Sequence, residues 1–314
     1  MKRVNTILFT IFMLAAWGIL ARFTFNVLTV REVVKPPTNM QAEVEYLASQ
    51  GMRGRLSASP EIKKAQTSIL ERCAKAGLKT HKQSVRTPKG VCQNIMAWRE
   101  GTNTDQIVVV GAHLDHIGVR NREVYPGADD NASGSAMVLE LARRFAAGPK
   151  PDMTILFQWY TGEELGYYGS KHYVKYPVLP EGDPSIRKHV FMLNLDMVGH
   201  LTKRLSIWEV DVPAVLDKLF PKYPFAKRIT FRRSYGSDQV TFANKGIPVV
   251  FLHTGTDFGT YHQPYDKPET LDYKGMDLIC DYAYDMIGRI AGRTVPLPDP
   301  DFVIWDLPPM PNKP

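Results

Sequence analysis

Residues 107–116 read IVVVGAHLDH. Ile107–Val110 is a β-branched apolar run of strand length, and within six residues it gives way to His113, Asp115 and His116. A continuous apolar run of this kind reads as a strand buried on both faces. Three similar runs follow, at Met153–Trp159, Val190–Leu195 and Ile247–Leu252. Ser133–Ala147 lies between the first two and carries helical spacing, which recurs over Val212–Leu219, Asp238–Asn244 and Lys274–Ala291. Strands alternating with helices predict an α/β fold of three layers, with a central, mostly parallel mixed sheet. Upstream, Met40–Gln50 and Pro60–Ala76 repeat apolar residues every three or four positions and read as helices. Ser59-Pro60 supplies a cap and an N1 proline for the second. Residues 83–99 alternate loosely and read as one or two strands.

The chain has 314 residues, 44% hydrophobic and 23% charged, with a formal net charge of +7. That is ordinary globular usage and excludes a disordered chain, a collagen or a coiled-coil rod. Residues 1–30 hold Lys2, Arg3 and Arg22 and no acid, so residues 31–314 carry only +4. Beyond them no basic run exceeds two residues, which argues against a nucleic-acid footprint. Cys73, Cys92 and Cys280 form no CxxC pair, so a thiolate metal site is not expected and inert buried thiols are.

Lys2 and Arg3 precede the apolar run ILFTIFMLAAWGIL, Ile7–Leu20. A positive start followed by an apolar stretch that is just long enough to cross a membrane when counted from Val4 to Ala21 predicts a signal anchor over 1–30, with the remainder of the chain extracytoplasmic; a cleaved signal peptide and a secreted protein is the alternative. Residues 31–40, with Lys35-Pro36-Pro37, read as a linker, 41–293 as the main domain, and 294–314, with seven prolines, as an extended tail.

The residues after each strand carry the chemistry. His113, Asp115 and His116 follow the first run, Glu163 and Glu164 the second, Asp196 the third, and Asp257, Tyr261 and His262 the fourth. Asp129-Asp130-Asn131 occupies a glycine-containing loop before a helix. Ligands of open α/β sheets gather beyond the carboxyl ends of the strands. Taken singly, these residues read as surface groups, turn formers or caps. Together they supply imidazole nitrogen and carboxylate oxygen for two divalent ions sharing one carboxylate. HExxH, GxSxG, GxxxxGK[ST] and GxGxxG are all absent.

The segments GAHLDHIG, PGADDNASGSAMVLELAR, TGEELGYYGSKHYV, LNLDMVG and YHQPYDKPETL resemble, in order and spacing, the co-catalytic di-zinc aminopeptidases of the aminopeptidase Y and bacterial leucyl aminopeptidase type. The resemblance covers about residues 41–293. It implies a phosphorylase/hydrolase-like zinc-peptidase fold and two zinc ions per chain. His113 and Asp196 would hold one ion, Glu164 and His262 the other, and Asp129 would bridge them, with a cis peptide between Asp129 and Asp130. Glu163 would be the general base, Asp115 would orient His113, and Tyr261 would help to stabilise the oxyanion. The implied substrates are peptides with a free N-terminus. Gln263 and Lys267 stand where threonines are common in the family, and Gln239 where histidine is frequent. These departures concern the surroundings of the site rather than its ligands.

Two other readings stand beside this one. A glutaminyl cyclase shares the fold and would need a single zinc, which the paired acids at Asp129-Asp130 argue against. A non-catalytic membrane-tethered binding domain would have lost ligand positions, whereas every one is filled here.

Overall fold

A computed structural model describes residues 40–178, 185–201, 205–210, 223–225, 229–231, 236–256 and 259–292. The expected anchor, most of the linker, the helix at 212–219, Asp257 and the C-terminal tail lie outside the described residues. Among the described residues no helix is long and apolar enough to cross a membrane.

The chain enters through α1 (Met40–Leu47), a 3-10 segment (Gln50–Arg55) and α2 (Pro60–Lys75). Ser59 caps α2 by accepting from the Ile62 amide, as its position before Pro60 predicts. A hairpin of β1 (Lys79–Thr87) and β2 (Gly90–Arg99) resolves the loosely alternating stretch into two antiparallel strands. Then come β3 (Asn103–His113), a short ribbon of β4 (Val119–Arg120) and β5 (Glu123–Val124), and a helical turn, Ala128–Ser133, that leads into α3 (Gly134–Ala147). After it follow β6 (Met153–Tyr160), α4 (Tyr168–Lys175), β7 (His189–Leu195), β8 (Leu205–Val210), β9 (Ile229–Phe231), α5 (Gln239–Ala243), β10 (Val249–His253) and α6 (Tyr273–Ala291).

Eight strands form one sheet in the order β1-β2-β6-β3-β7-β10-β8-β9. The four apolar runs are its centre: β6, β3, β7 and β10 are mutually parallel, with antiparallel pairing beginning at β2 on one side and β8 on the other. Side chains of a strand alternate between faces, and β3 shows the consequence. Val108 and Val110 pack into a large core with α1, α2, α3 and α6, while Ile107 and Val109 join α4 and α5 on the opposite face. Helices on both faces explain why these strands lack a polar side. The three-layer α/β architecture with a mixed, mostly parallel sheet is therefore present. The strands β8 and β9 and the short helix α4, absent from the sequence reading, complete it.

Because β3, β6, β7 and β10 run in one direction, their carboxyl ends lie along one edge. His113 closes β3, Glu163 follows β6 by three residues, Asp196 follows β7 directly, and Thr254 follows β10. All three cysteines are buried.

Candidate metal centre

Six side chains meet at this edge. His113 donates from Nδ1 to the carbonyl oxygen of Asp115 at 3.0 Å, a bond that leaves the Nε2 lone pair outward. That Nε2 lies 3.2 Å from Asp130 Oδ1 and 3.2 Å from Asp196 Oδ1. The other oxygen of the same carboxylate, Asp130 Oδ2, lies 3.1 Å from His262 Nε2, which is also 3.2 Å from Glu164 Oε1. His116 Nδ1 stands 3.2 Å from Glu164 Oε1 and 3.7 Å from Asp130 Oδ2. Asp130 thus faces one set of ligand atoms with each of its oxygens. His113, Asp130 and Asp196 form one group suited to a metal ion, and His116, Asp130 and Glu164 another.

The donor set fits divalent cations. A tetrahedral ion with nitrogen and oxygen ligands at about 2.0–2.1 Å has ligand-to-ligand edges of about 3.3 Å, and the nitrogen-to-oxygen separations here are 3.1–3.2 Å. The electrostatics agree. Burial works against charge on His113, yet Asp196, Glu163 and Asp130 hold its pKa well above the ordinary range. His262 is likewise pushed up to about 10, against its burial, by Asp130 and Glu164. Burial opposes ionisation of Asp130 too, but His113 and His262 hold its carboxyl well below the usual range. Glu164 is lowered to about 2 despite burial and the neighbouring Asp130, through His116 and His262. A pocket that favours anionic carboxylates and positive charge between them suits a cation bound by both carboxylate and imidazole.

The bridging position corrects the expectation for Asp129. The carboxylate between the two groups is Asp130, and the cis peptide is Asp130-Asn131 rather than Asp129-Asp130. Asp129 turns the other way. Its Oδ1 accepts from the Gly199 amide at 2.8 Å and from Ser133 Oγ at 3.3 Å, tying the ligand loop to the turn after β7. Burial, with Asp266 close by, raises its pKa well above the carboxylate range. Neighbouring acids in an irregular loop follow no periodicity, so their orientation is decided by what each touches.

The remaining residues named from sequence sit around this centre. Glu163 is buried, and its amide donates to Asp115 Oδ1 at 3.1 Å. The Asp115 carboxylate also accepts from Ser57 Oγ at 2.8 Å and lies 3.9 Å from His113 Nδ1. Asp115 therefore orients His113 through its backbone carbonyl, while its side chain fixes the start of the Glu163 loop. Tyr261 is 37% exposed and stacks on His262, with ring centroids 3.8 Å apart. His262 itself has a positive φ of 55°, a region that histidine enters more readily than most residues. Gln239 is buried and accepts from Asn194 Nδ2 at 2.9 Å, supporting β7 two residues before Asp196.

Three further residues carry weight that the sequence did not assign. The His116 ring is fully buried, and among the described residues neither of its nitrogens has a hydrogen bond. Asp266 accepts from the amides of Asp129 at 2.8 Å and Asp130 at 3.1 Å, holding the ligand loop by its backbone. Arg55 is fully buried and donates to the carbonyls of Leu47, Leu114, Pro126 and Gly127. Asp266 lies within the quoted YHQPYDKPETL segment, and His116 lies in HLDH, so both were within reach of sequence. Arg55 has no local pattern, because its four partners come from distant segments.

An α/β fold that collects histidines and carboxylates around a shared aspartate, at the carboxyl edge of its sheet, has the donor set of a hydrolase-type metal centre. The chain belongs to peptidase family M28, whose profile matches residues 94–287. A probable leucine aminopeptidase from Arthroderma otae is 33% identical over 201 residues, covering 58% of this chain and 55% of the relative. The chain spans about half the length of the curated relatives it matches. The fold is shared with the aminopeptidase from Aneurinibacillus sp. strain AM-1, at a TM-score of 0.67 and 17% identity, covering 84% of this chain and 96% of that one. It is shared equally with Porphyromonas gingivalis glutaminyl cyclase, at a TM-score of 0.67 and 17% identity, covering 80% and 97%.

Proposed function

We propose that the chain is a zinc-dependent aminopeptidase with two ions per chain. The observation that carries this reading is the placement of Asp130, whose two oxygens face two separate groups of ligand atoms. His113, Asp130 and Asp196 would hold one ion, and Glu164, His262 and the same Asp130 the other. Zinc bound there would acidify a water and polarise the scissile carbonyl.

The protein's own groups do the rest. Glu163 accepts the proton of the attacking water and returns it to the departing amine. Asp115 holds the Glu163 amide, and through its carbonyl it fixes the tautomer of His113. Tyr261, partly exposed beside His262, is placed to donate to the developing oxyanion. The free α-amine of a peptide would be a ligand for zinc bound there, which suits removal of residues from that end.

Purified residues 31–314 should hydrolyse amino-acid p-nitroanilides with zinc, lose that activity in chelator, and lose it in Glu163→Ala. Full activity of Glu163→Ala would refute the assignment of the base. The cyclase reading rests on the shared fold and would be favoured by one zinc per chain together with cyclisation of N-terminal glutamine. A binding-domain reading would require normal folding with no metal bound. The positively charged start and apolar run at Ile7–Leu20 support tethering to a membrane with the catalytic domain extracytoplasmic. Protease accessibility of the domain in intact cells or spheroplasts tests that placement.

A further inference from the structure

We infer that His116 is a metal ligand, through Nδ1, on the Glu164 side of the centre. This rests on the paired-metal reading above. The donors there become His116, His262, Glu164 and Asp130, whereas the other side has His113, Asp196 and Asp130. Four protein ligands close a tetrahedral position and three leave it open. The two sides would then be unequal, the one at Glu164 offering one more protein donor than the one at His113 and Asp196.

Three observations support this. The His116 ring is fully buried, and among the described residues neither of its nitrogens makes a hydrogen bond. Three other buried imidazoles each make such a bond: His113 to Asp115, His189 to Ile186 and Tyr173, His253 to Asp196. Secondly, His116 Nδ1 is as close to Glu164 Oε1 as His262 Nε2 is, at 3.2 Å, but without the alignment of a hydrogen bond. Close approach without alignment is what two donors to one cation show, since each aims at the ion and not at the other. Thirdly, the ring is held in place before any ion arrives. The His116 amide donates to the Arg55 carbonyl at 3.3 Å. The ring lies against Gly127, where a Cβ would sit 2.5 Å from His116 Cγ, so only glycine leaves room for it. His262 meets it edge to face, with centroids 5.7 Å apart.

The test compares wild type, His116→Ala, His116→Gln and His262→Ala, stripped with chelator and titrated with Zn2+ by calorimetry and with Co2+ by visible absorption. Circular dichroism of the stripped forms checks folding. In wild type, two ions are expected. In both His116 variants one site should weaken by more than about a hundredfold, beyond the range typical of residues that only orient a ligand, while the other stays within about threefold. The cobalt bands of the weakened site should change in position and intensity as a nitrogen donor is lost, and His262→Ala should affect that same site. Unchanged zinc affinity in the His116 variants overturns the inference. So does a weaker site whose cobalt spectrum is unchanged, which would make His116 a positioning residue for Glu164. Wild type that binds no metal refutes the paired-metal reading itself, and wild type that binds one ion, lost in His262→Ala and retained in His116→Ala, refutes both.

Discussion

Replacing Arg55 by methionine removes a buried guanidinium while keeping the length and bulk of the side chain. Its Nε donates to Leu114 O at 3.0 Å, one terminal nitrogen to Leu47 O at 2.6 Å and Pro126 O at 2.8 Å, and the other to Gly127 O at 2.9 Å. Each carbonyl left unsatisfied costs about 1–3 kcal/mol. Against this, burial disfavours the charge itself: the Arg55 pKa is lowered to about 10 by desolvation, although Asp266, Asp130, Asp115 and Glu164 pull it back up. Relief of that burden offsets part of the loss, and a net destabilisation of about 3–5 kcal/mol is expected, as for other broken buried charge networks. For a domain of this size that lowers Tm by roughly 6–20 °C. Lysine should not rescue, because one ammonium cannot spread across four carbonyls as the planar fork does. The assay is thermal unfolding of chelator-treated wild type, Arg55→Met and Arg55→Lys, so that metal affinity does not enter. A Tm within about 2 °C of wild type in both variants would show that the guanidinium does not organise the segments that carry His113, His116 and Asp130.

Asp130→Asn should weaken metal binding by more than about a hundredfold, whereas Asp129→Asn, which mimics the protonated acid favoured by burial, should leave metal content unchanged; metal analysis after gel filtration separates them. Gly127→Ala should cost most of the activity and metal, since φ is +61° there and a Cβ would lie 2.3 Å from the Asp130 carbonyl oxygen; a variant with full metal content would contradict this. His189 is buried and neutral, its pKa lowered from 6.5 to about 4 by desolvation. Between those values the unfolded chain binds the proton more readily, so the stability that neutral His189 provides is present above pH 6.5 and is lost as pH falls toward 4, by about 3 kcal/mol. Denaturant unfolding of chelated wild type and His189→Gln across that interval should show a flatter profile in the variant.

The periodicity of four apolar runs was enough to foretell a parallel centre with helices on both faces, because burial on two sides leaves a continuous hydrophobic signature. The sequence also foretold which runs end in His113, Glu163, Glu164 and Asp196, since a strand's direction fixes where its last residues lie. It was less informative where the backbone is irregular. Between Asp129 and Asp130 the chemistry is the same and the spacing shifts by one. Only the contacts of Asp129 with Gly199 and Ser133, and those of Asp130 with His113 and His262, tell them apart.

By itself, then, the sequence determined the α/β class, the strands of the central sheet and the kind of chemistry at its edge, because these follow from local pattern and composition. The tertiary structure alone decided that Asp130 lies between two groups of ligand atoms, that the His116 ring is buried beside Glu164, and that Arg55 and Asp266 hold the loop. Each depends on atoms brought together from segments far apart in the chain, and no local pattern encodes such meetings.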